Sequence, residues 1–155
     1  MNGLRVLTRV ASLARILLVT VCFLQLGLGI AVQWLQGPGP DAVLRETPLH
    51  DAHRATSQML LGLAWVAVLT TAPVTGERIG ATRRWWWLLH LPLSGLALTL
   101  LILSSFTGYL GTPPVTEGSY LRFRVLHTML VPPLAALCVF AWAWATRSYG
   151  RPGGA

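Results

Sequence analysis

Four apolar stretches, each long enough to cross a bilayer, take up most of this 155-residue chain and leave little for a soluble catalytic domain. The first runs over about 13–35 and stops at Gly37, Pro38, Gly39 and Pro40, a cluster that cannot continue a helix. The second covers about 49–72 and ends before Pro73; the third covers about 85–110, and the fourth about 119–146. With short connections between them, they predict an all-α membrane protein: one antiparallel four-helix transmembrane bundle spanning 1–155. Composition agrees, since 54% of residues are hydrophobic and only 11% charged. A cleaved signal peptide is the competing reading of the first stretch, because Arg5, Arg9 and Arg15 precede it. That stretch is longer than a signal core and carries no small-x-small site before its Gly/Pro cluster, so it is expected to be retained.

The formal charge of +7 comes from 12 basic residues against 5 acidic, and every basic residue is an arginine. The arginines flank the apolar runs, which makes them orientation signals and excludes nucleic acid as the partner. Eight of them, Arg5, Arg9, Arg15, Arg78, Arg83, Arg84, Arg147 and Arg151, fall at the two termini and the second connection. Arg45, Arg54, Arg122 and Arg124 fall on the other side, so both termini are expected in the cytoplasm. Trp85, Trp86 and Trp87 follow Arg83 and Arg84, where amphipathic rings settle at headgroup level. The all-arginine basic set suits a GC-rich bacterial genome, and hence a multi-pass protein of the cytoplasmic (inner) membrane. Cys22 and Cys138 form neither a CxxC pair nor the CxxCH pattern of covalently held haem, and are expected as buried small hydrophobes.

Among the polar residues of an apolar bundle, four histidines stand out: His50, His53, His90 and His127. His53 lies near the start of the second span and His127 about eight residues into the fourth. Both spans enter from the outer side, so an antiparallel bundle would bring both rings into the outer half of the membrane. Two neutral imidazoles from facing helices, one for each axial position of the iron, are what a non-covalent b-type haem requires. Arg54, Arg122 and Arg124 place guanidinium groups at the same end, where haem propionates would emerge. Gly27 and Gly29, with Gly62 and Gly95, could let a flat macrocycle approach the backbone, or could serve plain helix packing. His50, one turn before His53, is a substitute ligand or a propionate donor. His90 lies at the opposite end with no second histidine at its depth, and reads as an interfacial or hydrogen-bonding ring.

The segment from about Val19 to Thr146 resembles the N-terminal four-helix half of cytochrome b, the haem subunit of quinol oxidoreductase complexes. Its first helix carries CFLQLGLGIAV with Gln25 and Gly29 four residues apart; the second opens with His53-Arg54. The third closes with FTGYL at Thr107, Gly108 and Tyr109, and the fourth reads LRFRVLHTMLVPPLAAL. The resemblance implies one haem b with His53 and His127 as axial ligands. Departures from the family pattern fall at Ala67, Ala141 and Trp142, where the ligands of a second haem would stand, so only one haem is expected. Gly111, Thr112, Pro113 and Pro114 replace the family's segment bordering the outer quinol site, and quinol bifurcation is not expected. Pro132 and Pro133 each remove a backbone donor and are expected to kink the fourth helix just past His127.

The function expected is electron transfer by a mono-haem membrane cytochrome, passing single electrons between an outer redox partner and either quinone or a partner subunit. That makes it part of an oxidoreductase rather than a complete enzyme. The alternative is a haem-free membrane anchor or assembly subunit on the same fold. A transporter or membrane hydrolase is disfavoured because no Asp or Glu lies deep within an apolar span, Asp51 standing at the very start of the second, and Ser94, Ser104 and Ser105 read as packing hydroxyls.

Overall fold

The computed structural model describes residues 2–36, 47–82, 90–108 and 116–146. Four helical rods account for them. Helix α1 is Asn2–Gln36, α2 is Pro48–Thr82 and α3 is His90–Gly108. The fourth rod has three parts: α4 (Glu117–Phe123), a π-helical segment (Arg124–Leu130) and α5 (Val131–Thr146). Three stretches, Gly3–Leu35, Pro48–Val74 and Gly118–Thr146, are long and apolar enough to cross a membrane, and Pro92–Phe106 of α3 is a shorter apolar one. The Gly37–Pro40 cluster, Trp85, Trp86, Trp87 and the side chain of His90 lie outside the described residues.

Local chemistry fixes where two of the rods begin. Thr47 precedes Pro48, and its hydroxyl accepts the His50 N–H at 3.3 Å, while proline suits the first helical position because its missing donor would be unpaired there anyway. Thr116 caps α4 in the same way: its hydroxyl accepts the Ser119 N–H at 3.2 Å, and Ser119 Oγ accepts the Thr116 N–H at 2.8 Å.

Helix α1 packs mainly on α2 and α3 mainly on α5, and contacts of α1 with α5 and of α2 with α3 close the ring. Side-chain pairing shows the rods to be antiparallel. Arg15 in the first half of α1 meets Thr146 at the end of α5, and Ser57 near the start of α2 faces Ser105 near the end of α3. The interior is built from small residues, Ala14, Ala64, Ala67, Ala97, Ala135 and Ala136, with Leu18, Val139 and the single large ring of Trp142 between them. Alanines allow close backbone approach, which is how helices associate where lipid offers no hydrophobic drive. The outer faces carry Phe23, Ile30, Leu69, Phe106 and Leu137, each more than half exposed. An apolar exterior of this kind fits a bilayer and not water.

Two boundaries differ from those expected. Helix α2 does not stop at Ala72: it continues through Pro73 to Thr82. Proline there removes one ladder bond without breaking the rod, as membrane helices tolerate. Helix α1 begins at Asn2, well before position 13, so Arg15 lies more than three turns into the helix and not at its start. It is not a simple flanking charge. Only 4% exposed, its Nη1 donates to the Thr146 carbonyl at 2.6 Å, placing a cation on the negative end of α5 and pairing a carbonyl that has no partner within its helix. Arg15→Ala is expected to cost about 2 kcal/mol, read as a lower thermal midpoint in detergent. Arg9→Ala, at an exposed position of the same helix, should leave the midpoint unchanged.

Candidate functional site

Capping by Thr47 sets the register of α2 so that His50 falls in its first turn and His53 one turn later. From the fourth rod, the π-helical segment delivers His127. The two rings meet with centroids 6.1 Å apart and planes at 84°.

Both rings are anchored by other helices. His127 Nδ1 lies 3.0 Å from the Ser104 carbonyl of α3, and since a carbonyl only accepts, Nδ1 carries the proton. In the neutral ring this leaves the lone pair on Nε2, the tautomer that a metal-binding histidine adopts when its other nitrogen is held by a backbone carbonyl. Phe123, one turn earlier, stacks on His127 at 5.1 Å with planes 20° apart. His53 Nε2 lies 3.5 Å from the Gln25 side-chain amide nitrogen of α1, and Gln25 Oε1 in turn accepts from the Thr56 hydroxyl. His53 Nδ1 is buried and has no hydrogen-bond partner among the described residues.

Gly29, one turn from Gln25, lies under the His53 ring: a Cβ there would stand 3.2 Å from His53 Cε1. Any side chain here would oblige the His53 ring to give by a few tenths of an ångström. Gly29→Val is therefore expected to push the His53 ring out of place and halve, or worse, whatever ligand binding depends on it. Ligand content per chain is the measurement, with Gly27→Val as the control.

The remaining expectations divide. Gly27 is exposed and a Cβ on it would meet nothing within 4 Å. It points away from the histidines because two residues turn an α-helix by about 200°. Gly62 and Gly95 are likewise exposed with open space around them, so none of the three cradles a ring. Arg54 and Arg122 are exposed and Arg124 is half-buried. His50 is half-buried, and its backbone N–H is engaged by Thr47. Ser104 serves through its backbone carbonyl, Ser105 faces Ser57 with oxygens 3.3 Å apart, and Ser94 is buried. Among the described residues no three His, Cys, Asp or Glu side chains gather as a metal site.

Phe123 and Ser104 were not singled out as partners of His127 on sequence. A ring one turn before a candidate histidine is the signal for the first; a backbone carbonyl on another helix leaves none. Compared with known proteins, the chain matches no family model, no curated protein and no solved structure.

Proposed function

We propose that the chain is a mono-haem b-type membrane cytochrome acting in electron transfer, with His53 and His127 as the two axial ligands. The observation that carries this reading is the meeting of two neutral-capable imidazoles from different rods, 6.1 Å apart, inside an apolar bundle. The two rings are close enough that both would hold one metal ion bound between them. The donor set fits in part: His127 keeps its Nε2 lone pair, while the His53 lone pair sits on Nε2 against the Gln25 amide, a contact that a metal would have to displace.

Bound there, a haem would supply one-electron chemistry at its iron. The chain's own residues hold and orient the rings: Ser104 fixes the tautomer of His127, Phe123 supports its face, and Gly29 leaves room for His53. Arg54, Arg122 and Arg124 offer guanidinium groups at this end for the two propionates. Resemblance to the N-terminal half of cytochrome b, in the His53-Arg54, FTGYL and LRFRVLHTMLVPPLAAL patterns, supports the same reading. It also supports four crossings with both termini in the cytoplasm, an outer redox partner, and quinone or a partner subunit on the other side of the exchange.

A second reading has its own observation. The Thr56–Gln25–His53 chain and the His127–Ser104 bond already tie α1 to α2 and α3 to the fourth rod, as a haem-free anchor or assembly subunit would use them. A pair of variants separates site from bundle. His53→Ala should abolish a low-spin haem spectrum, and His90→Ala, at the opposite end, should leave it intact. A spectrum that survives the first or vanishes in the second contradicts the ligand assignment.

A further inference from the structure

The fourth rod hydrogen-bonds in π register over seven residues, with His127 in their middle and Pro132-Pro133 one residue beyond its end. The register ends at the prolines for a plain reason: Val131 N–H still reaches the Leu126 carbonyl, five residues back, but neither of the next two residues has an N–H to continue the ladder. Its consequence appears in which residues are buried. Tyr120 and Phe123 before the segment, and Val131, Ala135, Val139 and Trp142 after it, all face the interior. Phe123 and Ala135 are 12 residues apart, which at about 100° per residue leaves them about 120° out of phase on an unbroken α-helix. Absorbing one residue in a wider turn brings them to about 20°. Trp142 moves in the same way from about 100° to directly in line with Phe123.

We infer that the one extra residue held in the π-helical segment aims His127 at His53. It keeps α4 and α5 on a common inner face, and it stacks His127 on Phe123 rather than turning it toward lipid. Without it, with α5 fixed by Ala135, Val139 and Trp142, the His127 ring swings off the inner face. The consequence for haem rests on the cytochrome reading above; the aim of the ring does not.

Met129 is exposed, so deleting it shortens the segment without removing an interior side chain. The matched control, Met129→Leu with Leu130→Ala, is the same chain with one alanine put back. Aim is read by cross-linking His53→Cys to His127→Cys with a short bifunctional thiol reagent, in a background of Cys22→Ala and Cys138→Ala. Integrity of the bundle is read by a Gln25→Cys/Thr56→Cys pair between α1 and α2.

The expected result is a His53/His127 cross-link in the full-length chain and in the control, and its loss in the deletion chain while the α1–α2 cross-link persists. Haem, measured in chains that keep both histidines, should be lost in the deletion and kept in the control. No cross-link in the full-length chain, or an undiminished one after deletion, overturns the inference. So does loss of the α1–α2 cross-link, since the extra residue would then hold the whole bundle and not His127. If the cross-links behave as expected while the full-length chain binds no haem, the cytochrome reading fails and the aiming role stands.

Discussion

Replacing His127 by alanine is expected to give a chain that inserts and assembles its helices but carries no low-spin haem. On the cytochrome reading His53 and His127 would hold the iron, so removing one would take away half of what holds it. The bundle itself should survive. His127 is half-buried, and its loss removes one hydrogen bond to the Ser104 carbonyl and one stacked contact with Phe123, together about 1–2 kcal/mol. The readout is the reduced-minus-oxidised spectrum of His127→Ala beside its thermal midpoint. A complete loss of the band with a small change in midpoint identifies a ligand; a collapse of the midpoint identifies a packing residue.

Trp142→Ala should do the reverse. The Trp142 side chain is 1% exposed and is the largest of the fully buried ones, seated in a cluster otherwise made mainly of alanines and aliphatic residues from the four rods. Truncation leaves a cavity that alanines on rigid helices cannot close. Lipid rather than water surrounds the bundle, so the transfer part of the usual loss is small and the lost packing dominates. The expected cost is about 3 kcal/mol, the low end for a buried tryptophan, and it should appear as a lower midpoint in detergent. Haem content of the surviving folded protein should stay close to that of the unaltered chain, because Trp142 stands in the half of the bundle near Arg15 and Thr146, away from the histidine pair.

What was legible in the sequence was set by burial in lipid. Long apolar runs make helices because every backbone group must be satisfied within its own segment, so the rods were readable from length alone. The meeting of His53 and His127 was readable for a related reason: in an antiparallel bundle the second and fourth rods enter from the same end, and the rise per residue places their side chains in depth. Rotation about the helix axis was not readable. Gly27 and Gly29 look equivalent in CFLQLGLGIAV, yet one faces outward and the other lies under His53. With apolar residues on every face, no amphipathic stripe marks the inner side of α1. Pro73 was expected to end a helix and does not, since in a packed bundle one missing donor costs less than unwinding. Arg15 was expected as a flanking charge, and its bond to the Thr146 carbonyl joins residues 131 positions apart. The expected kink past His127 took a different form. The prolines bound a π-helical segment on its C-terminal side, and the register change it brings depends on how the two halves of the rod pack, which local sequence does not encode.

The most direct measurement is haem per chain in the detergent-purified protein, by the dithionite-reduced minus oxidised spectrum, after expression with ample haem supply. The cytochrome reading predicts about one non-covalent, low-spin b haem per chain. A purified, folded bundle without a haem band would contradict it and leave His53 and His127 as interhelical ties.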